Sequence, residues 1–267
     1  MILTDKFVFI HLHKSGGTFV EKIIYHLFPH AIKIGYHYPL KMLPIRYRHL
    51  PILGVVRNPW DFYVSYYAFQ KTLIDSAKAK LAKLSAEEYE LLVKSGVDPY
   101  NGIDILFEKL SNNGTLDFVE TTTNLLKLST TEDKLNSVLE FMPTELGRRG
   151  KSTPLQYEGF RGMNVTRDDL ENIRDTSEGL YTFLFRRMYG CAEDLYTAKM
   201  NNLRQDLIHF FTEIKVEIEP SLKEYIFTAE PENISHHDYY PAYYTPMLKK
   251  LVREQDTFLI KNFGFEF

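Results

Sequence analysis

Apolar and polar residues alternate along this chain in blocks whose spacing predicts its elements. Phe7-Val8-Phe9-Ile10 is an unbroken apolar run, the pattern of a strand covered on both faces in a parallel sheet. A polar break follows at Lys14-Ser15-Gly16-Gly17-Thr18. Apolar residues then return at Phe19/Val20, Ile23/Ile24 and Leu27/Phe28, about every four positions, until Pro29. That spacing is one face of an amphipathic helix stopped by proline. The succession recurs in "LPILGVVRNPWDFYVSYYAFQ" (50–70): a strand through Val55-Val56, a polar turn, and a helix opening at Pro59. Proline suits a first helical position because its missing N–H costs nothing there. "DLYTAKMNNLRQDLIHFF" (194–211) predicts a further strand and helix. A last helix is expected from the Thr245-Pro246 cap to Gly264. Positions 71–180 read as mostly helical, with turn signals at Asp98-Pro99, Asn112-Asn113-Gly114 and Gly147–Gly150. No internal repeat or low-complexity linker interrupts the chain.

Strands alternating with helices predict an α/β fold, a central mostly parallel sheet flanked by helices. A single domain over 1–267 is expected, with a mostly helical insertion at about 71–180. Ligands on such sheets sit beyond the carboxyl ends of the strands, where both polar turns fall.

Composition narrows the classes. At 267 residues and 44% hydrophobic, the chain can bury a sizeable core. A net charge of −3 provides no general basic field, which argues against wholesale nucleic-acid binding. One cysteine, Cys191, excludes an intramolecular disulfide framework and a cysteine-based zinc site, and it is expected as a small core residue. No run approaches the roughly 18 apolar residues of a membrane span. The first apolar run lacks the basic flank of a signal peptide. A soluble, cytoplasmic protein is the expectation.

Strand, glycine turn and helix start together make an anion site, because backbone N–H groups and the positive helix end converge there. The turn is not a Walker A loop, in which glycine precedes a Gly-Lys-[Ser/Thr] unit; here lysine comes first. Gly16 and Gly17 still permit close backbone approach, Thr18 adds a hydroxyl and Lys14 a mobile charge. In the second block Arg57 leaves the strand and Ser65 follows eight positions on, two turns into the helix. A guanidinium fork and a hydroxyl so placed can meet around one phosphate. Taken alone, Arg57 is equally well explained by an ion pair with a carboxylate. Trp60 reads as a packing residue.

"HLHKSGGTF" and "RNPWDFYVSYYAF" together resemble the cofactor signatures of sulfotransferases that use 3′-phosphoadenosine 5′-phosphosulfate (PAPS). The segments "MNNLRQDL" (200–207) and 233–267 look like later parts of bacterial members, and 71–180 lies outside the resemblance. The resemblance implies a P-loop-like sulfotransferase fold. It implies that Lys14, Ser15, Gly16, Gly17 and Thr18 grip the 5′-phosphosulfate, and that Arg57 and Ser65 grip the 3′-phosphate. Position 13 is histidine where many members have proline. The basic Arg-Lys-Gly loop and the dimerisation signature of animal members are not recognisable, so the oligomeric state stays open.

In-line sulfuryl transfer would release adenosine 3′,5′-bisphosphate, with Lys14 as the cation on the leaving oxygen and no metal required. The attacking hydroxyl needs a base, a role that suits histidine. His11 and His13 share one side of the strand because neighbours alternate faces, and His26 and His30 read as structural. His37, in "IGYHYPLKMLP", lies between the two motifs, an interval in which several carbohydrate sulfotransferases carry a catalytic histidine or glutamate. It is the leading candidate for the base, against a role in packing on Tyr36 and Tyr38; His236 and His237 stand in reserve. A small molecule or neutral sugar is the expected acceptor, with Arg148-Arg149-Lys151 read as a solvated loop. The rival readings are a nucleotide kinase with a lysine-first loop and a catalytically silent anion-binding relative.

Overall fold

A computed structural model describes residues 1–95, 103–146, 163–174, 176–190, 192, 194–230 and 237–267. The expected turns at Asp98-Pro99 and Gly147–Gly150 lie outside these residues, as do Arg148-Arg149-Lys151, Cys191 and His236. In chain order the strands are β1 (Ile2–Leu3), β2 (Val8–Phe9), β3 (Ile32–Lys33), β4 (Ile52–Val56) and β5 (Leu195–Lys199). The helices are α1 (Gly17–Leu27), α2 (Pro59–Leu81), α3 (Ala86–Lys94), α4 (Ile105–Leu110), α5 (Phe118–Leu126), α6 (Glu132–Leu139), α7 (Arg167–Glu171), α8 (Leu180–Tyr189), α9 (Leu203–Glu213), α10 (Pro220–Thr228), α11 (Pro246–Gln255) and α12 (Thr257–Phe263). Residues group into two units: Met1–Phe62, Tyr181–Ile234 and Leu259–Glu266 form the first, and Tyr63–Leu180, Ser235–Phe258 and Phe267 the second.

The first unit holds the sheet, ordered β3-β1-β2-β4-β5. β2, β4 and β5 run parallel, with Val8 opposite Ile52 and Gly54 opposite Thr197. β1 is antiparallel to both β2 and β3, so the sheet is α/β but only partly parallel, which corrects the expected mostly parallel arrangement. The cause is the length of the β1–β2 connection. Thr4 Oγ1 donates to the Phe7 carbonyl (2.7 Å) and accepts from the Phe7 N–H (2.9 Å), closing a hairpin too short for a parallel crossover. A two-residue strand leaves no periodicity to read, and β1 escaped the sequence pattern for that reason.

α1 presents Phe19, Val20, Ile23 and Ile24 to a core shared with Phe7, Phe9, Leu53, Val55 and, from α9, Leu207, Phe210 and Phe211. Phe7 meets Phe28, Phe210 and Phe211 edge-on at 5.4, 5.2 and 5.9 Å, the geometry aromatic quadrupoles favour.

Among its described residues, the second unit is built of helices. Asp104 caps α4 by accepting from the Leu106 N–H (2.9 Å), and its other oxygen accepts from the Tyr66 hydroxyl (2.9 Å). α5 opens with a reciprocal capping box between Asp117 and Glu120. Thr245 caps α11 as the sequence predicts. The expected single terminal helix is nevertheless broken in two at Asp256. This buried carboxylate accepts from the Tyr63 hydroxyl at 2.8 Å, and a Cβ on Gly179 would stand 2.8 Å from it. Among the described residues no helix is long and apolar enough to cross a membrane.

Candidate anion site

The turn after β2 owes its form to three backbone choices. Lys14 (φ 52°) and Gly16 (φ 76°) adopt the left-handed region, and α1 starts at Gly17 with no side chain capping it. The first turn therefore presents the N–H groups that every helix start leaves without intrahelical acceptors. Gly17 is required for a different reason: a Cβ there would lie 2.0 Å from Cδ2 and 2.2 Å from Nε2 of His11. The imidazole occupies the space a side chain would need.

Arg57, at the end of β4, reaches this turn. Its Nη1 donates to the Lys14 carbonyl at 3.1 Å, while Nε and Nη2 donate to the two Asp61 oxygens at 2.6 and 2.9 Å. Of the two sequence explanations of Arg57, the ion pair with a carboxylate is present, its partner being Asp61; the guanidinium also touches the lysine turn. Three of its five N–H groups are engaged in these bonds. Burial, with Arg57 beside it, pushes the Lys14 ammonium down to about 8.

A tyrosine joins the same two turns. Tyr181, at the start of α8, is buried and stacked on Phe62 with ring centroids 3.8 Å apart. Its hydroxyl accepts from the Arg57 N–H (2.8 Å) and lies 3.2 Å from Ser15 Oγ. Ser15 donates its only proton to the His13 carbonyl (3.0 Å), so Tyr181 must donate to Ser15. The Ser15 hydroxyl is thereby committed within the turn. Tyr189, near the other end of α8, does similar work one layer down. It accepts from the Val55 N–H (3.1 Å) and lies 3.2 Å from the Ile10 and Val55 carbonyls. Replacing Tyr181 by phenylalanine takes the hydroxyl acceptor from the buried Arg57 amide N–H and one of its two hydrogen bonds from Ser15 Oγ. The expected loss is about 1–3 kcal/mol of stability, read as a lower urea midpoint for Tyr181→Phe.

Three histidines gather behind the turn. His37 stacks on His13 with centroids 3.6 Å apart and lies 4.8 Å from His11. Tyr36 packs edge-on to His37 at 4.2 Å. The His37 backbone is left-handed (φ 53°), and its Nδ1–H donates to the His11 carbonyl at 2.8 Å. That bond fixes the tautomer and leaves Nε2 as the lone-pair nitrogen. Burial, reinforced by the neighbouring His13, holds both His37 and His11 well below the usual histidine range. Both are neutral at neutral pH, and Nε2 of His37 is in the state a base requires. Among the described residues no group of His, Cys, Asp and Glu is arranged to hold a metal; the rings of His13 and His37 lie face to face.

Lys14, Ser15, Gly16, Gly17, Thr18, His37 and Arg57 therefore share the first unit. Ser65 belongs to the second, buried on α2. His26 stacks on Tyr225, and His237 donates its Nδ1–H to the Asp238 carbonyl. Tyr38 packs against Gly35. Trp60 is buried at the opening of α2. Sequence reasoning passed over Asp61, Tyr181 and Tyr189. Asp61 had a readable signal, a carboxylate four positions after Arg57. The two tyrosines had none, since a tyrosine on an amphipathic helix reads as core. In comparison with known proteins, no family model, no curated protein and no solved structure matches the chain.

Proposed function

We propose that the chain is a PAPS-dependent sulfotransferase with a P-loop-like sulfotransferase fold, moving a sulfuryl group to a hydroxyl of a small molecule or sugar. The observation that carries this reading is the hydrogen bond from Arg57 to the Lys14 carbonyl. It brings the lysine-glycine turn and the arginine turn to one place, as a ligand with two anionic ends requires. The two motifs that resemble the sulfotransferase signatures supply the rest. Under this reading the acceptor oxygen attacks sulfur as the bond from sulfur to the phosphate oxygen breaks. The acceptor proton passes to Nε2 of His37, and the Lys14 ammonium stabilises the charge left on the phosphate.

The enclosure of His37, 6% exposed, favours a second reading, an anion-binding relative that transfers nothing. Calorimetry and mass spectrometry separate the possibilities. Adenosine 3′,5′-bisphosphate is expected to bind more tightly than AMP or ATP, and PAPS with a library of hydroxylated acceptors to yield a product heavier by one sulfuryl group. Equal or tighter binding of ATP would overturn the assignment. Tight bisphosphate binding with no product from any acceptor selects the silent relative.

A further inference from the structure

From Lys22 to Trp60 the chain contains no Asp or Glu, yet it carries Lys22, Lys33, Lys41, Arg46, Arg48 and Arg57. Over the whole chain acids outnumber bases, 35 to 32, so this stretch is a basic island on an otherwise acidic molecule. Its exposed part is a built loop. Two 3-10 turns, Leu40–Met42 and Ile45–Tyr47, each follow a proline, Pro39 and Pro44. Backbone bonds from Met42 to Pro39 (2.9 Å), Leu43 to Leu40 (2.8 Å) and Tyr47 to Pro44 (2.9 Å) hold them, and Leu43 is buried beneath.

Above that anchor the loop exposes an unusual mixture. Ile45 is 82% and Met42 43% exposed, among the exposed side chains of Lys41, Arg46, Arg48 and His49. The Arg46 guanidinium lies over the Tyr47 ring, 4.8 Å from its centroid. A soluble polyanion would gain from the cations and nothing from the isoleucine. An anionic bilayer gains from both: apolar side chains enter the acyl boundary, cations meet the headgroups, and an aromatic ring suits the interface between them. The acidic remainder of the chain is repelled by the same surface, which orients this loop toward it.

We infer that the loop 39–49 docks the protein peripherally on an anionic membrane surface. The inference is independent of the transfer reading, since the loop 39–49 contains none of the residues of the anion site. The test is co-sedimentation of the full chain with phosphatidylcholine vesicles with and without about 30 mol % phosphatidylglycerol. Binding is expected to the mixed vesicles, weakened by salt, and little to pure phosphatidylcholine. Neutralising a cation near such a surface should weaken binding about fivefold, so R46Q/R48Q should lose about 25-fold. M42S/I45S should lose about tenfold or more through the missing apolar burial. Unchanged near-ultraviolet circular dichroism checks that the variants fold. Equal binding to both vesicle types, or mixed-vesicle binding unaffected in either variant, would overturn the inference. So would heparin affinity that falls in R46Q/R48Q but not in M42S/I45S without vesicle binding, which marks a polyanion site.

Discussion

Gly17→Ala is expected to disrupt the lysine turn more than any other single methyl added to it. The new carbon would stand 2.0–2.6 Å from three atoms of the His11 ring. His11 cannot swing away cheaply: it is buried, stacked near Phe9 at 5.8 Å, and flanked by Tyr36 at 5.4 Å and His37 at 4.8 Å. Overpacking of this kind costs about 1–3 kcal/mol, occasionally more, and each kcal/mol lowers the melting temperature of a domain this size by about 2–4 °C. Anion binding should fall with it, because the displaced ring lies directly behind the turn. A double-mutant cycle isolates the cause. In a His11→Ala background the added methyl has room, and Gly17→Ala should then be nearly neutral. A similar loss in both backgrounds would show that the imidazole is not the obstacle.

Lys14→Ala carries the largest expected effect on chemistry. Removing one preorganised charge from a developing oxyanion typically lowers the rate about 10²–10³-fold, so under the proposed function sulfuryl transfer should fall by at least that much while the fold persists. The wild-type protein should also show a characteristic pH dependence. Because burial and Arg57 lower the Lys14 ammonium to about 8, the cation is present below that pH and lost above it. Affinity for an anionic nucleotide should therefore decline above about pH 8, approaching tenfold per pH unit. A bound anion raises the lysine again, and near pH 8 about half a proton should be taken up on binding. Calorimetry in two buffers of different ionisation enthalpy measures that uptake. It should vanish in Lys14→Ala; uptake that persists in the variant would place the titrating group elsewhere.

The apolar periodicity was enough to locate α1, β4, the start of α2 at Pro59, the β5–α9 pair and the Thr245 cap. Each of these depends on residues close together in sequence. What the pattern could not convey depends on distant partners. Asp256, at the break between α11 and α12, accepts from Tyr63 and packs beside Gly179, and nothing near position 256 announces either. Tyr181 joins Ser15 to Arg57 across more than a hundred residues. His11 and His13 were legible as neighbours on one side of the chain because alternation is a local rule. That His37 comes to stack on His13 follows from a left-handed residue in an aperiodic loop, which no repeat encodes. Arg57 shows a subtler limit. Its pairing with Asp61 is legible from a carboxylate four positions on, whereas its bond to the Lys14 carbonyl, from a distant turn, is not.

The ends of the sheet bear on solubility. Unpaired strand margins invite other chains to add themselves, and natural proteins blunt them with shortness and charge. β3 has only two residues, both exposed, and the Lys33 ammonium is held by Glu21 at 2.7 Å. At the opposite margin the Asp206 carboxylate accepts from the Lys199 N–H at 2.7 Å, occupying an amide that a foreign strand would otherwise pair with. Both margins are thereby guarded against edge-to-edge aggregation.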